Sequence, residues 1–549
     1  MLLVCIVTNV TGQDPKTVGL IQYDSLSYNG YTLISPMSSN RTYLIDNCGE
    51  KIKEWTFDSP PALLAYLQED GSLFRAERSS GLFGAGGSGG RIVHKSWDNK
   101  LIWSFIYSND KVRHHHDFQP LPNGNVLVLA WERKSREEAI QAGRIPSLTR
   151  PDGVWFEHIV ELKPIGIDSA RIVWEWHVFD HLVQERDSIL DNFGDIASSP
   201  NLFHINYKIA NAFSPSEPGN SDWMHMNSIQ YNEVRDEIML SSRDFNEVYI
   251  IDHSTTIEEA SSGQGGRSGK GGNLLFRWGN NASYNKGTAD DQLLFAQHHA
   301  SWLESEDSNK VGFTVFNNGI GSPGLDISSV EFISPTIING EYVLSSDGIF
   351  MVDDHKTIND SEELSFSSPR LSSVQVLKNN NLLIASGNHG RIREITPDEK
   401  KVWDYINPVS NSGPIMQGTN AFANDIFRAE RYSYDYEAFD GKVLVPMGVL
   451  EIDPDYMGCF LIDTTTSTTS VSTTNAFKIY PNPVNEVITI ESLINDDLYF
   501  ELYDVNGTVY RKGYLNRNSQ IDMNDLSKGF YFLKIRVKDQ AQVLKIIKE

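Results

Sequence analysis

One short pattern recurs along most of the chain. A strand ends in a bulky aromatic, one residue intervenes, and a second aromatic follows. It appears as Trp55-Thr56-Phe57, Trp103-Ser104-Phe105, Trp174-Glu175-Trp176, Phe276-Arg277-Trp278 and Trp403-Asp404-Tyr405. After each comes a hairpin whose plainest form is Phe118–Ala130. Val374–Ala385 matches it without a gap, and Leu64–Arg75 is a looser copy. A sixth, degenerate unit has its outer strands in Val330–Leu344. Each unit amounts to about four antiparallel strands. Such a unit cannot bury both faces alone, so the units must stack, and radial stacking of four-stranded sheets makes a propeller. The expected fold class is therefore all-β, a six-bladed β-propeller. Dense turn signals such as Asn123-Gly124 and Asn317-Asn318-Gly319, with short apolar runs between them, agree. One short helix is predicted, around Ser135–Ala142.

The repeat stops before Thr464–Thr474, a Thr/Ser tract with one Val that cannot build a core. The expected division is a leader over 1–16, the propeller over 17–462, a linker over 463–475 and a small β-sandwich over 476–549. Alternating apolar residues in Tyr499–Tyr503 and Tyr531–Ile535 carry the last assignment. Met1–Gly12 is apolar and short, without a basic flank, and reads as a signal-peptide remnant. Charge is 47 − 72 = −25, a surface that repels phosphate backbones and argues against nucleic-acid partners. No apolar run is long enough for a membrane helix. Three cysteines exclude a disulfide-dense scaffold and a four-cysteine zinc site. Gly269-Lys270 invites a phosphate-loop reading, but Gln264 and Gly271 break the motif, and Ser261–Gly272 reads as a mobile loop. A second Gly-rich insert is Ser80–Gly90.

Aligning the units exposes a register. With Asn379-Asn380-Asn381 on Asn123-Gly124-Asn125, Ser372 falls on His116. The same strand begins at His298 in the unit after Trp278 and at His225 in the unit after Trp176. Equivalent strand starts in a propeller converge on one funnel. Three imidazoles there suit either metal ligation or nucleophilic and acid–base catalysis. Arg243, at the far end of the hairpin that starts at His225, favours the second. A guanidinium beside a metal adds repulsion, whereas beside histidines it offers a fork for sulfate or phosphate.

These residues carry a resemblance. The stretches His115-His116-Asp117, Asp222-Trp223-Met224-His225-Met226-Asn227-Ser228, Ser241-Ser242-Arg243-Asp244-Phe245-Asn246, Arg277-Trp278-Gly279-Asn280 and Gln297-His298-His299-Ala300 resemble bacterial arylsulfate sulfotransferases, over roughly residues 17–462. The resemblance implies transfer of a sulfuryl group from a phenolic sulfate to another phenol, ping-pong through a sulfohistidine, with no cofactor and no metal. It implies His298 as nucleophile, and His225 with Asn227 as contacts to the sulfuryl and bridging oxygens. It also implies Arg243 as sulfate binder and His116 as a further pocket histidine. Ser372 matches the family's hydroxyl residue weakly, and Asn246 is carried over as a substrate contact. His115 and His299 stand beside two of these positions, and the strand register favours His116 and His298. Because propeller signals begin by about residue 17, the N-terminal β domain of some members is not expected here. The Gly-rich inserts leave acceptor specificity open.

The tail motifs Tyr480-Pro481-Asn482-Pro483, Asp504-Val505-Asn506-Gly507 and Leu526-Ser527-Lys528-Gly529-Phe530-Tyr531, with a Lys-rich end, are similar to the type IX secretion sorting domains of Bacteroidetes. That similarity implies export through the periplasm to the surface or medium, with the type IX machinery as partner. Export permits a disulfide, and closure of a propeller would bring Cys48 and Cys459 together. Two readings of other classes remain open: a secreted binding propeller without catalysis, and a metal- or quinone-dependent propeller oxidoreductase.

Overall fold

The computed structural model describes residues 16–207, 221–305, 307, 310–323, 326–442, 444–454, 477–492, 498–504, 508–515, 518–537 and 540–548. Met1–Gly12, the Thr/Ser linker and Cys459 lie outside the described residues. The chain forms two compact units, one spanning most of the chain up to Ile462 and one at the C-terminus.

In the large unit six antiparallel sheets follow one plan. The second sheet, Pro61–Leu67, Leu73–Arg78, Gly90–Lys95 and Leu101–Ile106, shows it plainly. The third begins at Val112–Pro120, the fourth at Met226–Asn232, the fifth at His298–Trp302 and the sixth at Ser373–Val376. The first sheet is built from both chain ends: its inner strand, Ile426–Ser433, pairs with Gly30–Pro36. Reciprocally, Gly19–Tyr23 adds a fifth strand to the outer edge of the sixth sheet, against Lys401–Ile406. The inner strands touch one another in sequence, and the sixth returns to the first. This is a β-propeller, closed at both edges by strands borrowed across the chain ends.

The aromatic repeat now has a physical reason. In four of the sheets a repeated Trp lies on an outer strand, and its indole N–H reaches a turn of the next sheet. Trp55 donates to Ser96 O at 3.2 Å, Trp103 to Ser169 O at 2.8 Å, Trp174 to Thr255 Oγ1 at 3.0 Å and Trp403 to Asn47 O at 2.8 Å. A large apolar body with one polar tip fills the gap between sheets and satisfies its own N–H. Between the sheets lie separate apolar cores, such as Phe74, Ile92 and Trp103 against Phe118, Val126 and Val160. A buried polar knot ties four sheets near the axis. Arg428 donates to Asp117 Oδ2 at 2.8 Å, Tyr66 OH to Asp117 Oδ1 at 2.8 Å, and Ile229 N to Asp117 Oδ2 at 3.1 Å.

The predicted helix is Arg136–Gln141, started by a Ser135/Glu138 capping box. Two readings need correction. The outer strands of the fifth sheet are Ser329–Pro335 and Val352–Asn359, and the segment between them carries a small separate hairpin, Ile337–Ile338 with Glu341–Tyr342. The turn residues of that hairpin hid the true outer strand. Ser261–Gly272 is tied down rather than loose: Ser268 N donates to Asp252 Oδ2 at 2.8 Å, and Trp176 Nε1 to Gly272 O at 2.7 Å.

The C-terminal unit has a three-stranded and a four-stranded sheet. Its core is Ile488, Ile490, Leu502, Ile521, Leu533, Ile535 and Ile546. No helix of the described residues is long and apolar enough to cross a membrane.

Candidate active site

The inner strands of the third, fourth and fifth sheets each break step near the histidines. Register shifts fall between Val128 and Ala130, between Met226 and Ser228, and between His298 and Ala300. His116, His225 and His299 have φ of 50°. A bulge interrupts the strict alternation of side chains and re-aims a residue. Here it turns His116, His225 and His298 towards one another.

His116 and His225 have ring centroids 4.5 Å apart. Phe427, from the inner strand of the first sheet, stands 6.2 Å from both the His116 and the His298 rings. Arg243 follows the strand Glu237–Ser242, its backbone N donating to His225 O at 3.1 Å and its Nη1 to Asp244 Oδ1 at 2.6 Å. The neighbours of two predicted residues point elsewhere. His115 is stacked on Trp131 and bonded to Glu157, while His299 Nδ1 accepts from Val374 N at 3.2 Å.

The three converging imidazoles differ in their partners. His225 Nδ1 meets Asp222 Oδ2 at 2.5 Å. Burial works against a charge on this ring, but the carboxylate outweighs it and holds His225 above its usual value. His298 Nδ1 meets Asn318 Oδ1 at 2.7 Å. Burial, against a weaker opposing pull from that bond and with help from the Arg243 charge, pushes His298 down to about 3, so it is neutral. His116 Nδ1 lies 2.9 Å from His115 Nδ1, and His115 Nε2 lies 2.7 Å from Glu157 Oε2. Burial holds both histidines well below, and Glu157 well above, their usual values.

A Gly-rich roof covers this cluster. Gly87 O accepts from His116 N at 2.9 Å. A Cβ on Gly87 would run into the His116 ring, and one on Gly86 would lie 3.9 Å from His225 Cε1. Phe83 anchors the roof on Trp155, with ring centroids 5.0 Å apart, and Arg113 donates to Ser79 O at 2.9 Å.

The other predicted residues have these places. Asn227 donates to Gln297 O at 2.7 Å, and its Oδ1 is buried without a protein partner. Asn246 Oδ1 accepts from Ala296 N at 2.7 Å. Ser372 Oγ donates to Arg370 O and accepts from Gly387 N at 3.1 Å, so its hydroxyl serves the backbone. Cys48 is disulfide-bonded. Among the described residues no three His, Cys, Asp or Glu side chains are grouped to hold a metal ion. Sequence reasoning missed the roles of Asp222 and Asn318. Asp222 lies three residues before His225 within a motif already noted, and Asn318 lay in a run read only as a turn.

The fold and the site thus define a β-propeller with a histidine- and arginine-lined centre at the start of its inner strands. The arylsulfotransferase family model matches residues 37–412, and the chain belongs to that family. Residues 478–549 match the secretion-system C-terminal sorting domain, which implies the type IX machinery as partner and supports export to the surface or medium. No curated protein matches the chain. Solved structures similar to it include a protein of unknown function from Bacteroides caccae, with 11% identity over 73% of this chain and 98% of the other and a TM-score of 0.37. A periplasmic gluconolactonase from Pseudomonas aeruginosa shows 11% identity over 69% and 96%, with a TM-score of 0.34.

Proposed function

We propose that this arylsulfotransferase works by a ping-pong route through a sulfohistidine on His298. Family membership supports aryl sulfotransfer in general, from an aryl sulfate to a phenol. The observation that carries the finer reading is the pairing of a neutral His298 with a carboxylate-held His225 beside Arg243. In the first half-reaction His298 attacks sulfur, the S–O bond to the aryl group breaks, and protonated His225 gives its proton to the departing phenolate. In the second, neutral His225 takes the proton of the acceptor phenol, whose oxygen attacks sulfur and frees His298. Arg243 and His116 meet the charge on the sulfuryl oxygens. Sulfuryl transfer resembles phosphoryl transfer in its loose, in-line transition state, so positioning and fixed charge supply the catalysis. A phenol's pKa near 10 makes it both a fair leaving group and a fair acceptor. The protein reaches its site of action through the periplasm.

The test is incubation with a chromogenic aryl sulfate, with and without an added phenol. Phenol-stimulated release of the chromophore is expected, and its loss in His298→Ala. Retained transfer in that variant would show that another group carries the sulfuryl.

A further inference from the structure

We infer that Asn318 is a positioning residue that makes His298 a carrier of the sulfuryl group rather than a trap for it. The inference rests on the sulfohistidine reading above. Asn318 is 1% exposed and directly follows the strand Phe313–Asn317. Its Nδ2 donates to Ser368 O at 2.8 Å and to Leu371 O at 3.1 Å. Both amide protons therefore face carbonyls, and the atom facing His298 Nδ1 is Oδ1, at 2.7 Å. A carbonyl oxygen can only accept. His298 Nδ1 must carry the hydrogen, and the lone pair sits on Nε2. The backbone is held as well, since Ser328 Oγ donates to Asn318 O at 3.0 Å.

This tautomer has a chemical consequence. When Nε2 bonds to sulfur, the S–O bond breaks and its electron pair leaves with the aryl oxygen. The imidazole then bears an N–S bond and an N–H bond, and the ring is cationic. A carboxylate at Nδ1 would draw that proton away, neutralise the ring and make it a poorer leaving group. An amide cannot take the proton. The ring stays cationic, and the N–S bond remains easy to break when the acceptor oxygen attacks. Its electron pair then returns to Nε2, with the Nδ1 proton unmoved throughout. The same centre shows the contrasting arrangement, since His225, which must move protons, has Asp222 at Nδ1. One histidine is backed by an acid and handles protons, and the other is backed by an amide and handles the sulfuryl group.

The experiment uses the full chain with Asn318→Asp, a chromogenic aryl sulfate and phenol. First-turnover release should stay within a few-fold of wild type. Phenol-dependent turnover should fall about tenfold, the difference between a charge-assisted and a neutral hydrogen bond. Acid-quenched or base-quenched peptide mapping should find His298 sulfonated under conditions where phenol empties the wild type. Unchanged turnover, or parallel loss of both phases without extra adduct, overturns the inference. A transferring wild type that never forms an adduct on His298 overturns the sulfohistidine reading instead. Because the Asp variant places a carboxylate against two carbonyls, a second measurement stands apart from folding and activity. In 15N-histidine NMR spectra, the signals lost in His298→Ala should be those of an Nδ1–H, Nε2-unprotonated ring. An Nε2–H tautomer there overturns the inference.

Discussion

Gly87 and Gly124 have the same φ, +82°, yet different surroundings, and this makes a controlled experiment. Nothing lies within 4 Å of a Cβ built on Gly124, whereas one on Gly87 would meet the His116 ring well inside contact distance. At either site alanine must adopt a left-handed conformation, which costs about 1–2 kcal/mol. Gly87→Ala adds a collision. Restoring a carbon–carbon separation of about 3.5 Å requires the loop or the imidazole to move by more than about 1 Å. The loop is tied to the ring's own backbone through His116 N and Gly87 O, so the motion reaches the reacting centre. A displacement of about 1 Å in a catalytic group costs on the order of 100-fold in rate. Both variants should therefore unfold at slightly lower temperature, by a similar amount. Only Gly87→Ala should lose about two orders of magnitude in phenol-dependent transfer from a chromogenic aryl sulfate. Equal activity in the two variants would refute the argument that the roof sets the position of His116.

Three further outcomes follow from buried charges. Asp222→Asn removes the carboxylate that keeps His225 protonated. Transfer should fall by about 10²–10⁴-fold, a typical contribution of acid–base catalysis, and more steeply as pH rises; a pH–rate profile parallel to the wild type would contradict the assigned role. Asp117→Ala removes the carboxylate that Arg428 donates to and leaves the buried guanidinium with the Tyr66 hydroxyl, so urea denaturation should show a loss of about 3–5 kcal/mol. His253, 11% exposed at its side chain, lies between Asp236 and Glu161 at 2.8 and 3.0 Å. Burial opposes its charge, but these carboxylates raise it to about 9. Folding therefore gains on the order of 3 kcal/mol below the unfolded value of about 6.5, and this is lost as pH rises through about 9. His253→Gln should flatten the stability–pH curve in that window.

How much of this was legible beforehand varies by residue. Trp55, Trp103 and Trp403 announce the sheets because one steric task, strapping an outer strand to the next sheet, recurs in four of the units. The histidine register was legible for the same reason, since hairpins of equal length carry His116 and His298 to equivalent places. His115 and His299 were not separable from their neighbours by alternation, because the bulges at those strand starts break it. Asn318, Asp222 and Gly87 left no periodic trace. They enter from a strand end, a connection and an insert, none of which the repeat constrains.

The sequence by itself determined the repeating strand pattern, the tail with its sorting motifs and the residue types that could carry a sulfuryl group. These are short-range properties, set by side-chain periodicity and local turn chemistry. Only the tertiary structure decided which atom of each histidine faces which partner. The amide of Asn318 reaches His298 through the strand pairing of the fifth sheet, and the carboxylate of Asp222 reaches His225 through the backbone path of the segment that leads into the fourth; a proton's place on an imidazole depends on contacts of that kind.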